Sequence, residues 1–300
     1  MTSGESGGNL AVRAKRIMKI SLIDNEKTKT AENLSSLISD SDDTRIAVAF
    51  VSRDGLRQIV NSLETSLDRG AHVEFLVGMN MRATDPKAIR QIYNMTVRNP
   101  CVSLFCHISD SRASIYHPKL YLMRRRNQVS AIIGSSNLTR RGLVENIEIN
   151  LLLQDEISNT VISETYELYN KLKFHKNRVI PDSEFIDMYE GLCKETEKQD
   201  HLISRGSVYR RLNIEYTEKV KRLKKPKPSR SDLVGWLELV YDSLPEGLFT
   251  NSQIYRKESE FKRLYPDNMN IRAKIRQQLQ LLENLGFLRH EGTGKWSKIE

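Results

Sequence analysis

Apolar positions in the first two-thirds of the chain follow two periods that alternate. Thr44–Ser52 is apolar through nearly all of its centre, as a strand covered on both faces requires. Arg53–Arg69 then sets Leu56, Ile59, Val60, Leu63 and Leu67 at helical spacing and stops at Gly70. The pattern recurs with a strand at Val73–Gly78, a helix at Pro86–Met95 that has proline in its first turn, and a strand at Val102–His107. A short helix over Ala31–Ile38 precedes them. Ile115–Leu122 and Val129–Ile133 predict two strands joined by an arginine-rich turn. Asn146–Asn150 alternates strictly and runs on through Leu151–Leu153 as a third strand. Glu156–Phe174 predicts a long helix that closes the domain, and Pro181–Lys194 a shorter one. Strands that alternate with helices predict an α/β sandwich, its mixed or parallel sheet flanked by helices.

Beyond residue 195 the periodicity fades. Lys221–Arg230 holds six basic residues and two prolines with no acid, a composition that favours an extended tether able to lie along a phosphate backbone. Three amphipathic stretches follow. Asp232–Leu244 has Leu233, Trp236, Leu237 and Val240 on one face. Asn251–Leu264 opens on Asn251 or Ser252 as N-cap. Asn270–Leu285 turns Ile271, Ile275, Leu279 and Leu282 inward, leaving Arg272, Lys274, Arg276 and Gln277 outward, and stops at Gly286. Phe287–Lys298 reads as a hairpin about a Gly-Thr-Gly turn. Three helices and a hairpin make a winged helix-turn-helix, whose third helix presents donors to base edges. The expected division is therefore a catalytic domain over 1–195, a basic linker over 196–230 and a winged-helix domain over 231–300.

Charge sharpens this division. The 300 residues carry a formal +9. Residues 201–300 hold 20 Lys+Arg against 12 Asp+Glu, or +8, so the basic excess lies in the last third, where a polyanion would bind. No apolar run approaches the ~20 residues that span a bilayer. The N-terminus is polar and lacks the apolar core of a signal peptide, so residues 1–17 are expected to be poorly ordered and the protein cytoplasmic. Cys101, Cys106 and Cys193 lack metal-binding spacing and read as free thiols of a reducing compartment. His72, His107, His175, His201 and His290 have no partners at motif spacing and read as ordinary histidines, with a reservation for His107, whose strand ends near the candidate site. Met79, Met81, Met95 and Met123 read as core or rim.

The candidate chemistry lies between Ile115 and Asn150. His117 and Lys119 fall on the same side of a strand. Ser135 and Asn137 follow a glycine where the chain can turn, and Glu148 lies on the polar positions of the third strand. One His, one Lys, a Ser, an Asn and a Glu at one end of a sheet suit phosphodiester cleavage. Imidazole can hold phosphorus covalently, while Lys, Ser and Asn stabilise charge on the non-bridging oxygens. A carboxylate behind an imidazole fixes its tautomer. The chemistry needs no metal in principle and no cofactor.

His117-x-Lys119, Gly134-Ser135-x-Asn137 and the downstream Glu148 resemble the phospholipase D superfamily. The resemblance implies that His117 is the nucleophile, that Lys119, Ser135 and Asn137 bind phosphate, and that Glu148 supports a histidine. It also implies a phospholipase D-like sandwich. Members often carry an Asp a few residues after the Lys; here that region is Leu122–Arg126, a departure that weakens a phospholipase reading more than a nuclease one. Arg124, Arg125 and Arg126, with Arg140 and Arg141, are expected to form a phosphate-binding rim around the site. Tyr265-Pro-Asp-Asn, Ile271–Leu282 and Leu285-Gly-Phe-Leu resemble the C-terminal winged helix of the restriction endonuclease that cuts only adenine-methylated GATC. This implies a reader of double-stranded DNA, with Arg272, Lys274, Arg276, Gln277 and the wing's Lys295 as contacts.

The chain holds one such catalytic motif, whereas the chemistry needs a second histidine as general acid. A homodimer through the catalytic domains is therefore expected, with both His117 residues in one active site. The resulting expectation is a metal-independent DNA endonuclease of the restriction type, with a separate helicase or methyltransferase as a possible partner. The rivals are a DNA-binding regulator with an inactive catalytic fold and a lipid phosphodiesterase.

Overall fold

The computed structural model describes residues 18–80, 83–108, 115–199 and 207–299. Residues 1–17, Met81 and His201 lie outside the described residues.

The N-terminal part begins with β1 (Lys19–Ile23), α1 (Thr30–Ser39), β2 (Asp43–Val48), α2 (Arg53–Arg57), α3 (Val60–Leu67), β3 (His72–Gly78), α4 (Pro86–Arg98) and β4 (Val102–His107). It continues with β5 (Lys119–Arg125), β6 (Gln128–Gly134), a π-helical turn (Arg141–Glu145), β7 (Asn150–Glu156), α5 (Thr160–Lys173), β8 (Arg178–Val179), α6 (Ser183–Gln199) and α7 (Ser207–Arg222). The eight strands form one sheet in the order β1-β7-β6-β5-β2-β3-β4-β8. The pairs β2–β3 and β3–β4 are parallel and all others antiparallel, so the sheet is mixed. β2 is buried at every position, as its apolar centre requires. One sheet face packs on α1, α3, α4 and α6 through residues such as Leu34, Ile46, Leu63, Ile89 and Phe185. The other packs on α5 through Leu120, Ala131, Leu153, Ile162, Tyr166 and Tyr169.

Several boundaries depart from the expected ones for local reasons. The helix expected over Arg53–Arg69 is two helices, because the chain leaves helical geometry at Ile59, where φ is −122° and ψ −4°. The strand expected from Ile115 starts at Lys119. Pro118 has no N–H for the ladder, although its carbonyl still accepts from Ala49 N–H at 2.9 Å. The strand expected from Asn146 starts at Asn150, with Ile147 and Ile149 exposed. Residues 207–222, expected to be part of a linker without apolar periodicity, form α7, which packs on α6 with Tyr216 and Val220 against the core. β1 had no expected counterpart.

The last part comprises a 3₁₀ turn (Arg230–Asp232), α8 (Trp236–Asp242), β9 (Leu248–Thr250), α9 (Asn251–Tyr255), α10 (Glu258–Leu264), α11 (Ile271–Asn284), β10 (Leu288–Gly292) and β11 (Lys295–Lys298). Its core is Trp236, Phe249, Phe261, Ile275, Leu279, Leu282 and their neighbours, with Trp236 stacked on Tyr265 at 4.3 Å. The second expected helix is split into α9 and α10, and its cap is Thr250 in a capping box with Gln253. The wing is a hairpin about Thr293-Gly294, with β9 added as a third strand.

This part is docked on α5. Trp236 N–H donates to Ser163 Oγ at 3.2 Å, and Asn170 Nδ2 donates to the Asp232 carbonyl. Lys173 bridges Glu74 at 2.8 Å and Asp232. Lys274 and Gln278, on α11, both reach the buried Glu167 of α5 at 3.2 Å.

Candidate active site

Strand direction brings the chemistry together. β2 and β6 end, and β5 and β7 begin, at the same edge of the sheet, with Val48 opposite Lys119, Leu120 opposite Ile133 and Gly134 opposite Asn150. His117 therefore lies just before β5, Ser135 and Asn137 just after β6, and Glu148 just before β7.

His117 is exposed while Lys119 is buried at 8%. Lys119 Nζ nevertheless reaches back to the imidazole, 2.5 Å from Nδ1 and 3.1 Å from Nε2, and donates to the His117 carbonyl at 3.1 Å. The Phe50 ring meets the imidazole edge-on at 5.6 Å. Desolvation, and then the Lys119 charge, hold His117 below the usual histidine range, so the neutral form is favoured. Desolvation lowers Lys119 as well, and the charge of Glu148 opposes that shift.

Ser135 Oγ donates to the Glu148 carboxylate and accepts from Ile149 N–H at 3.0 Å, while Ser135 N–H donates to the Ile149 carbonyl at 3.1 Å. Asn146 Nδ2 donates to Glu148 Oε1 at 3.2 Å. Asn137 Oδ1 accepts from Phe50 N–H at 3.2 Å, which leaves its NH₂ as a donor. Gly134 is required at its position, since a Cβ there would lie 2.3 Å from the Ile149 carbonyl oxygen. The Glu148 carboxylate, expected behind an imidazole, meets Ser135 and Asn146 within the chain, while Lys119 and Phe50 meet the His117 ring.

Tyr116 is a residue that spacing did not single out. Its ring is buried between the stacked His107 ring at 4.7 Å and the Arg178 guanidinium at 4.5 Å, with its hydroxyl on the Leu76 carbonyl at 3.3 Å. This clamp holds the residue just before His117. Burial, with the Arg178 charge adding to it, pushes His107 down to about 3, so His107 is a neutral packing group. The fully buried Arg178 donates through Nε and Nη2 to the Leu172 carbonyl at the end of α5, where the helix dipole favours a cation.

Two expected contact groups are placed differently. Arg124, Arg125 and Arg126 occupy the β5–β6 turn, at the opposite end of β5 from His117 and about 20 Å away at ~3.3 Å per residue. Arg125 pairs with Asp40, Arg124 lies 3.8 Å from Asp43, and Arg126 N–H donates to Asp42. They do not rim the site. Arg140 does lie on the site's loop, paired with Glu145 at 2.7 Å. Lys274, expected to face outward, is buried against Glu167. Arg272, Arg276 and Gln277 are exposed on α11, Arg272 bonded to Glu258 and Arg276 to the Tyr255 hydroxyl, and Lys295 is exposed on the wing.

The family model described as "Cardiolipin synthase, PLD-like domain" matches residues 34–172, the stretch that holds every group of the site. The chain carries a phospholipase D-like domain. The match ends within α5. The model described as "Dam-replacing HTH domain" matches residues 229–298, from the 3₁₀ turn to the wing. Among solved structures, the phospholipase D-like domain is similar to NucT from Helicobacter pylori, at 17% identity over 52% of this chain and 96% of that one, with a TM-score of 0.41. It is also similar to Nuc from Salmonella typhimurium, described as a phospholipase D family member, at 16% identity over 52% and 92%, with a TM-score of 0.38. Phosphatidylserine synthase from Haemophilus influenzae Rd KW20 matches at 13% identity over 62% and 46%, with a TM-score of 0.46. Among the described residues no helix is long and apolar enough to cross a membrane.

Proposed function

We propose that this chain is a metal-independent DNA endonuclease of the restriction type, acting as a homodimer on DNA in the cytoplasm. One observation carries the reading: a His–Lys–Ser–Asn–Glu set gathered at one sheet edge shares a chain with a docked HTH domain. A neutral His117 nitrogen attacks phosphorus, and the bond to the leaving sugar oxygen breaks. A second imidazole, which enters protonated, gives that oxygen its proton and becomes neutral. The same imidazole then takes a proton from water, whose oxygen displaces His117 from phosphorus. Lys119 and the donors of Ser135 and Asn137 stabilise the phosphoryl oxygens in both steps.

The second imidazole is His117 of a second copy. Among the described residues, His107 is buried under Tyr116 and His175 lies against it at 5.4 Å, so neither is presented to the site. Beside the His117 edge the sheet face is uncovered. Leu22, Leu151 and Ile133 are register partners and are 72%, 41% and 37% exposed, with Ile149 next to them. An apolar strip of this kind next to an incomplete site supports pairing of two copies there. Arg272, Arg276, Gln277 and Lys295 are the DNA contacts of the HTH domain in this reading, and Arg140 a phosphate contact at the site.

The test is to incubate the purified chain, with no helicase or methyltransferase, with adenine-methylated and unmethylated plasmid in EDTA. Cleavage that His117→Ala abolishes while DNA binding survives supports the proposal. Strict dependence on magnesium removes the metal-free mechanism. Hydrolysis of lipid headgroups without plasmid cleavage overturns the nuclease reading, and binding without any cleavage favours an inactive regulator.

A further inference from the structure

The contacts of Ser136, which lies between Ser135 and Asn137, and of the Asn146 carbonyl lead to a residue outside both matched spans. Asn25 lies between β1 and α1 and is 3% exposed, with φ of 63°, a left-handed conformation that asparagine tolerates. Its carboxamide makes all four hydrogen bonds open to it. Nδ2 donates to the Gly142 carbonyl at 2.9 Å and to the Asn146 carbonyl at 3.1 Å. Oδ1 accepts from Thr30 N–H and from Thr30 Oγ1, both at 2.8 Å. Because a backbone N–H can only donate and the two carbonyls can only accept, the orientation of the amide is unambiguous.

The chain of contacts continues to the turn after β6. Thr30 Oγ1 accepts from Asn150 Nδ2 at 3.2 Å. That amide also donates to Ser136 Oγ at 2.8 Å, and its Oδ1 accepts from Ser136 N–H at 3.2 Å. The Tyr121 hydroxyl donates to the Ser136 carbonyl at 2.9 Å. Asn25 thus grips both ends of the π-helical turn, while Thr30 and Asn150 grip the Gly134–Asn137 turn. Glu148 hangs between them, held by Asn146 and Ser135.

We infer that Asn25 is a positioning residue for the phosphate-binding arm, acting through Thr30 and Asn150 on Ser135 and through Asn146 on Glu148. The inference rests on the phosphodiesterase reading of that arm. Asn25→Asp keeps shape and acceptor but sets a carboxylate oxygen against two carbonyls. Asn25→Gly keeps the backbone conformation and loses all four bonds. Thr30→Val removes the relaying hydroxyl at constant shape, and Thr30→Ser retains it.

The experiment measures kcat and KM for bis(p-nitrophenyl) phosphate, with Tm, on the full chain. A misplacement near 1 Å costs about 10²-fold in rate. Asn25→Asp, Asn25→Gly and Thr30→Val are therefore expected to lower kcat by about that factor, with Thr30→Ser near wild type. Leu63→Ala, on the buried face of α3, serves as a comparison that loses Tm and keeps kcat at temperatures where it stays folded. Wild-type kcat in both Asn25 variants, or losses that only follow Tm as in Leu63→Ala, overturn the inference and leave the phosphodiesterase reading intact. A wild-type chain that cleaves neither the diester nor DNA overturns both.

Discussion

Gly134→Ala tests whether the turn after β6 is as tightly built as its contacts imply. A Cβ at this position would lie 2.3 Å from the Ile149 carbonyl oxygen, 2.4 Å from Asn150 Oδ1 and 2.6 Å from Asn150 Cα. Ordinary contact begins at 3.4 Å, so the carbonyl must retreat by 3.4 less 2.3, about 1.1 Å. Neither obstacle is free to do so. The carbonyl accepts from Ser135 N–H at 3.1 Å, and Asn150 Oδ1 accepts from Ser136 N–H at 3.2 Å. The displacement therefore passes to Ser135 itself. Overpacking of this kind costs about 1–3 kcal/mol, and an ångström at a phosphate-binding group about 10²-fold in kcat. Diester hydrolysis and plasmid nicking measure the second effect, and thermal unfolding the first. Gly191→Ala is the matched control: it lies within α6 with nothing inside 4 Å, so it should gain up to about 1 kcal/mol and leave kcat unchanged. A Gly134→Ala protein with wild-type kcat and Tm refutes the reasoning.

Lys119→Gln removes the cation that, after desolvation, holds His117 low, so the imidazole titration followed by NMR should move to higher pH and the acid limb of residual activity with it. An unmoved titration assigns the shift to burial alone. Lys274→Ala strips a partner from the buried Glu167 and should cost Tm, since removing one member of a buried pair is worth about 3–5 kcal/mol. Arg276→Ala should instead spare Tm, weaken DNA binding and reduce the salt slope by about one if it meets a phosphate; the reverse pattern would place Lys274 on DNA. His107 has an ordinary value of 6.5 when unfolded and about 3 when folded, so its contribution is present above pH 6.5 and is lost as pH falls toward 3. His107→Phe should flatten that part of the acid unfolding curve.

Most strands of the sheet are legible because burial writes itself locally. Ile46, Ala47 and Val48 are covered on both sides, and the unbroken apolar run reports it. The relative placement of the His, Lys, Ser, Asn and Glu positions is legible too, since antiparallel pairing of β5, β6 and β7 returns each to one edge. That same pairing explains the misplaced arginines: the turn of a hairpin is a full strand away from its open end, so nearness to His117 in sequence is distance in space. β1 escapes notice because it is five residues long, has Ile20 and Leu22 exposed, and pairs with β7 more than a hundred residues later. α7 reads as polar because Tyr216 and Val220 do most of its packing, and only the face of α6 makes them core. Lys274 reads as an outward cation because its partner, Glu167, belongs to another domain. Asn25 carries no local signal at all; its four bonds join segments separated by 117 and 121 residues as well as its own neighbours.

The seam between α5 and α11 makes the chain a ruler. With Lys274 and Gln278 pinned to Glu167, α11 and the edge that holds His117 share one frame. On the proposed function, the interval from the bases read to the phosphate broken is then set by protein geometry rather than sampled by a loose arm, and should come out as a constant count of base pairs at every site the chain occupies.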